Sequence, residues 1–139
     1  MMNSDFALAV HSLVLLVHSP NKMETSKTIA TSLDLHPVRV RNILGVLKKE
    51  DYIGSKGGPK GGFFLNSSPE DIYLDDIYRL TSQDTLKPKC HNCDEACDVG
   101  SNIEEVLDGI FFKAEEKLEE FLYQYTIQDV FNQLRKEYR

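Results

Sequence analysis

TSKTIATSLDLHPVRVRNILGVLKKEDYIGSKGGPKGGFFL, residues 25–65, reads as a short helix, a turn, a second helix carrying basic residues, and a glycine-rich basic hairpin. Thr25 or Ser26 caps the first helix, residues 27–33, whose apolar face is Ile29, Ala30 and Leu33. Asp34, Leu35 and His36 make the turn. Pro37 suits the first turn of the next helix, where its missing amide proton has no partner to lose. Val40, Ile43, Leu44 and Leu47 recur at three- and four-residue steps and form that helix's buried stripe. Residues 52–55 and 62–65 read as strands, and the glycines between them permit a tight reversal. This order predicts a mainly α chain: a winged helix-turn-helix domain with a two-stranded wing, a module that lays one helix in the major groove of DNA.

The second helix is the candidate recognition helix. Guanidinium groups bond guanine edges or phosphates in pairs, and asparagine does the same with adenine. Residues at the helix start lie nearest the bases, which selects His36, Val38, Arg39, Arg41 and Asn42, with Lys48 further along. Thr25, Ser26 and Thr28 are placed to hold phosphate at the amino end of the preceding helix. Lys56 and Lys60 sit at the wing tip, where a wing meets sugar-phosphate. The bland alternative is a solvated helix with scattered charges beside a purely structural hairpin. A nucleotide-cradling loop is disfavoured, because no Gly-Lys-Ser/Thr ending follows and no hydrophobic strand precedes.

Bulk properties agree once they are divided. The 139 residues suit one domain with an appended element, and 41% apolar content supports a core. The net charge is −6, but residues 1–66 carry eight Lys/Arg against five Asp/Glu, whereas residues 67–139 carry eight against seventeen. A basic amino half would meet phosphate while the acidic half faces away. The pI near 5.2 argues against tight non-specific binding to polyanions. Residues 1–5 lack the basic start of a signal peptide, and the apolar run at 13–17 is too short for a bilayer, so no membrane partner and a cytoplasmic location are expected.

Outside the winged segment, Phe6, Ala7, Val10, Leu13, Val14 and Val17 predict a first amphipathic helix, capped by Asp5 and stopped at residues 19–21. A short helix is expected around residues 74–80, with Tyr73 and Tyr78 packing against the wing and linker. Ser101 or Asn102 would cap a long helix running to about residue 125. Its Leu107, Phe111, Ala114, Leu118, Phe121 and Tyr125 fall at alternating steps of four and three, an a/d seam for dimerisation. Ile103, Val106 and Ile110 widen the seam where that helix also packs on the winged domain. A last helix follows from Thr126. The expected division is a winged domain at 1–80, a cysteine-containing loop at 81–102 and dimerisation helices at 103–139.

All three cysteines, Cys90, Cys93 and Cys97, cluster with His91 in that loop. In a cytosolic chain such clustering points to metal binding or redox sensing rather than structural disulfides, and packing without a sensing role stays open. A Cys-x-x-Cys pair grips one metal ion, with Cys97 or His91 as a third ligand. His11 and His18 read as core-edge or surface groups. No Ser-His-Asp or Cys-His nucleophile is apparent, so an enzyme is not expected.

Asp5-Phe-Ala-Leu, His36-Pro-Val-Arg-Val-Arg-Asn-Ile-Leu, the double-glycine wing and Ser68-Pro-Glu-Asp-Ile-Tyr-Leu together resemble the Rrf-two (Rrf2) family, the bacterial regulators that include IscR, NsrR and CymR. The similarity covers nearly the whole chain. It implies a homodimeric winged helix-turn-helix transcription regulator, mostly of the repressor kind, on an operator in double-stranded DNA. It also implies one of two uses for the cysteines: three of them plus another residue hold an iron–sulfur cluster, or the thiols respond to oxidants or electrophiles. The cysteines here are separated by only two and three residues, closer than the cluster-binding pattern, and no histidine follows Cys97. Asp5 matches an aspartate that serves some relatives as fourth ligand. The cofactor therefore stays open between a cluster, zinc and none. Alternatives for the whole chain are a winged-helix interaction adaptor and a metal-binding module without DNA binding.

Overall fold

The computed structural model describes residues 4–82 and 97–137. Its elements run α1 (Ser4–His18), α2 (Ser26–Leu33), α3 (Pro37–Lys49), β1 (Ile53–Lys56), β2 (Gly62–Leu65), a 3-10 turn (Pro69–Asp71), α4 (Leu74–Ser82), α5 (Asp98–Leu122) and α6 (Ile127–Glu137). The fold is mainly helical with one two-stranded antiparallel sheet among the described residues, as a winged helix-turn-helix requires.

α1 is the hub. It packs on α2, α3, α4, α6 and β2. Ala9, Ser12, Leu13, Val14, Leu16 and Val17 are all buried, whereas Ala7, expected on the apolar stripe, is exposed. A helix enclosed on several sides cannot be described by one stripe. The buried Ser12 hydroxyl donates to the Leu8 carbonyl at 2.8 Å and so is not left unpaired. Asp5 lies inside the first turn rather than at the cap.

The helix-turn-helix is built from local chemistry. Thr25 caps α2, its hydroxyl accepting from the Thr28 amide at 3.1 Å. Asp34 ends α2 in the left-handed region at φ 53°, where Leu35 N–H reaches the Ala30 carbonyl and Asp34 N–H the Thr31 carbonyl. His36 then caps α3, its Nδ1 accepting from the Val38 amide at 3.2 Å, with Pro37 at the first helical position. Val40, Ile43, Leu44 and Leu47 are buried as their spacing predicts.

β1 and β2 pair from Ile53↔Leu65 to Lys56↔Gly62. Glu24, just before α2, adds a bridge on the outer edge of β2: Glu24 N–H donates to the Phe63 carbonyl at 3.0 Å and Phe63 N–H to the Glu24 carbonyl at 2.7 Å. A Cβ on Gly62 would lie 2.7 Å from the Glu24 oxygen, so only glycine lets the two backbones meet there. The wing is thereby fixed to the helix-turn-helix.

The chain then returns. Leu74 N–H donates to the Tyr125 carbonyl at 3.0 Å, and Ile127 N–H to the Ile72 carbonyl at 2.9 Å. Thr126 and Asp129 cap α6 reciprocally, amide to side chain in both directions. Ile127 is fully buried in the winged core, and α6 packs on α1 and the 3-10 turn. The last helix thus completes the core of the first 80 residues instead of standing with α5. α5 also begins earlier than its expected cap: Cys97 occupies the cap position, while Ser101 and Asn102 lie in the first turns and donate back to the Asp98 carbonyl.

Candidate nucleic-acid interface

Val38, Arg39, Arg41, Asn42 and Lys48 all lie exposed on α3, opposite its buried stripe. Gly45 lies on the same outer side, and a Cβ there would meet nothing within 4 Å. A mid-helix glycine costs roughly 1 kcal/mol of helix stability, and packing does not explain this one. It leaves the face low where a groove floor would approach. Sequence reasoning missed Gly45, although a glycine inside a helical pattern was its visible signal.

Beside α3, the wing tip turns through Gly58 at φ +91°, with Gly61 N–H donating to the Gly58 carbonyl at 3.0 Å. Lys56 and Lys60 are exposed there. Lys48 ties the two parts together, donating to the Ser55 hydroxyl of β1 at 2.6 Å. No acidic residue occurs from 52 to 69, so the tip is uniformly positive. Arg41 folds along its own helix, Nε to the Pro37 carbonyl at 3.4 Å. Arg39 meets Asp5 of α1, Nη2 to Oδ1 at 3.2 Å.

The proposed phosphate groups at the start of α2 are partly committed. The Thr25 oxygen caps the helix and also meets the Thr28 hydroxyl at 3.0 Å, while Ser26 is half-buried. His36 is exposed but spends Nδ1 on its cap.

The expected seam on α5 divides. Leu107, Phe111 and Leu118 are half-buried. Ala114, Phe121 and Tyr125 are exposed. Val106 and Ile110, expected against the winged domain, are 57% and 56% exposed instead, and with Val99, Ala114 and Phe121 they line one outward stripe. No residue of α5 is fully buried.

Polar contacts hold α5 to the winged domain. Arg79 reaches Asp76 at 2.7 Å, Asp75 at 2.9 Å and Glu119 of α5 at 3.5 Å, and the Tyr78 hydroxyl donates to Glu115 at 3.3 Å. The hydrogen bond to Asp76, above all, raises the Arg79 guanidinium above its ordinary value. Asp75 is buried and meets the Arg79 guanidinium. Tyr73 stacks on Tyr123 at 4.9 Å and Tyr78 meets Phe6 edge-on, so these tyrosines face α5 and α1 rather than the wing.

Cys97 is exposed with a free thiol. The amides of Gly100 and then Val99, at the open end of α5, lower its pKa from the ordinary thiol value. Cys90, His91 and Cys93 lie outside the described residues. Among the described residues no three His, Cys, Asp or Glu side chains approach closely enough to hold a metal ion. His11 and His18 edge a groove of about 300 Å³ between α1 and α6, and His11 Nε2 meets the Ser32 hydroxyl at 3.2 Å. No described helix is long and apolar enough to cross a membrane.

Residues 2–133 match the Rrf2 family model, described as an iron-dependent transcriptional regulator. The chain is 35% identical over 135 residues to YwnA of Bacillus subtilis, named as an HTH-type transcriptional regulator, covering 96% of this chain and 99% of that protein. A Lactobacillus plantarum structure, named as a transcriptional regulator, superposes with TM-score 0.80 at 31% identity, covering 98% of this chain and 93% of the other. IscR of T. potens shares the fold at TM-score 0.74 and 21% identity, covering all of this chain and 91% of the other. These relatives are regulators of transcription and not enzymes.

Proposed function

The chain belongs to the Rrf2 family of bacterial DNA-binding transcription regulators, and from that premise we propose that it acts as a homodimeric repressor on a pseudo-palindromic operator. The observation that carries this reading is the shared exposure of Arg39, Arg41, Asn42 and Gly45 on α3 beside a lysine-tipped wing. The groove-reading helix is α3, and Lys56 and Lys60 contact the flanking phosphates. Lys48 braces the wing through Ser55 as well as facing DNA. Thr25, Ser26 and Thr28 contribute mainly the amino end of α2, since two of the three hydroxyls are already engaged.

Pairing through α5 is supported by its outward stripe, because an apolar face on a helix with no buried residue is the usual mark of a partner. α5 carries eight acidic and two basic residues, which keeps this part of the dimer away from phosphate. The protein works where its DNA is, in the cytoplasm.

The test is retardation of DNA from upstream of its own and neighbouring genes, titrated with salt. Lys56→Ala and Lys60→Ala are each expected to weaken binding to all sequences and to lower the salt slope by about one per head. An unchanged slope removes the wing from the interface, and no retardation at all favours an interaction adaptor.

Control enters at Cys90, Cys93 and Cys97. The lowered thiol of Cys97 at the cap of α5 supports thiol chemistry: oxidation of two thiols to a disulfide releases two protons and two electrons to an oxidant. Such a change at the start of α5 would alter the placement of the two heads, whose spacing must match the DNA turn. Anaerobically purified protein is expected to be colourless and free of iron and sulfide, with DNA binding altered by oxidant. Stoichiometric iron and sulfide would make the loop a cluster site, and stoichiometric zinc a metal site.

A further inference from the structure

We propose that Asp5 is a specificity-determining residue: its carboxylate holds the Arg39 guanidinium in the pose that reads a base edge and withholds it from phosphate. The inference rests on the reading of α3 as the groove helix, and its test separates the two.

Asp5 comes from the first turn of α1 and Arg39 from the first turn of α3, 34 residues apart in sequence, yet Oδ1 and Nη2 lie 3.2 Å apart. α1 packs directly on α3, so the carboxylate is offered from a rigid helix and not from a loop. Both side chains are 47% exposed. A pair this exposed contributes little to stability, and a carboxylate on a face that meets a polyanion opposes binding. Stability and affinity both leave the pair unexplained.

Specificity explains it. A guanidinium forms a bidentate pair with guanine O6 and N7, but it pairs equally well with any phosphate, and only the first contact carries sequence information. Arginine's planar fork has five donors. Anchoring one end from α1 fixes the plane of the rest and restrains the long side chain before DNA arrives. The same negative charge penalises the step in which Arg39 swings out to the backbone, because it would have to leave Asp5 behind. Arg41, by contrast, meets the Pro37 carbonyl of its own helix and, among the described residues, forms no ion pair with a carboxylate. The two arginines are therefore not equivalent in restraint: Arg39 meets DNA already held by a carboxylate from another helix, and Arg41 does not.

The experiment is equilibrium binding of the full chain, thiols reduced, to an operator duplex and to a permuted duplex of equal length. Wild type, Asp5→Asn, Asp5→Glu, Arg39→Ala and the Asp5→Asn/Arg39→Ala double variant are compared. Asp5→Asn is expected to lower the ratio of operator to permuted affinity about tenfold, mainly by raising affinity for the permuted duplex, and to steepen the salt slope there by about one per head. Asp5→Glu, which keeps the charge, retains most of the ratio. In the Arg39→Ala background Asp5→Asn has no further effect. An unchanged ratio in Asp5→Asn overturns the proposal, as does an equal loss on both duplexes or an effect that persists without Arg39. A wild-type protein that does not distinguish the duplexes fails the groove-helix reading itself.

Discussion

Aspartate at Ile110 and Phe121 together is expected to give a folded monomer whose operator affinity is lower by about a thousandfold. Ile110 and Phe121 are 56% and 54% exposed, so within one chain they bury little and their replacement costs the head little stability. In the proposed dimer they meet the partner helix. A carboxylate without a counter-charge in such an interface costs several kcal/mol, enough to dissociate a pairing built on one stripe. Each head then binds its half-site alone, and the gain from linking two heads, about 10² to 10⁴ in affinity, is lost. Sedimentation gives the mass and fluorescence anisotropy the affinity. A double variant that stays dimeric and binds like wild type removes this stripe from the interface.

Arg41→Ala is expected to lower operator affinity by roughly 10² to 10⁴ while leaving the fold intact. A bidentate guanidinium–guanine pair contributes about 1–3 kcal/mol of discrimination, and a two-headed protein loses it twice. The side chain is exposed, its Nε bond to Pro37 is long at 3.4 Å, and alanine is the better helix former, so little stability is at risk. Circular dichroism checks the helix content, and binding to operators varied one base pair at a time locates the lost contact. Retained affinity for the intact operator would take Arg41 off the bases, and retained affinity in Arg39→Ala as well would take α3 out of the groove.

The parts legible in the sequence are those whose cause is local. Pro37 at the first helical position, the stripe from Val40 to Leu47 and the strand at residues 62–65 follow from neighbours a few residues away, and the structure places them as read. The parts not legible depend on distant partners. The Thr126–Asp129 cap is visible in the sequence, but nothing local says that Ile127 docks beside Ile72. An a/d reading finds an apolar side of α5 and cannot say that Leu107 and Phe111 are half-buried while Val106 and Ile110 stay exposed. Asp5 in the first turn looks like a cap from its neighbours alone, and only the packing of α1 on α3 brings it to Arg39. In the candidate site the same division holds: the exposed basic residues were readable, and their restraints (Ser55 on Lys48, Asp5 on Arg39) were not.

Ile127 sets a condition on synthesis. The head's core contains a side chain from beyond the long helix, held by a backbone bond to Ile72 and, through Tyr125, one to Leu74. During translation α3 and the wing leave the ribosome early, but the core that supports them stays open until the chain beyond α5 has followed. A product cut short inside the long helix would lack that closing piece, so truncated chains would not occupy operators in competition with the finished regulator.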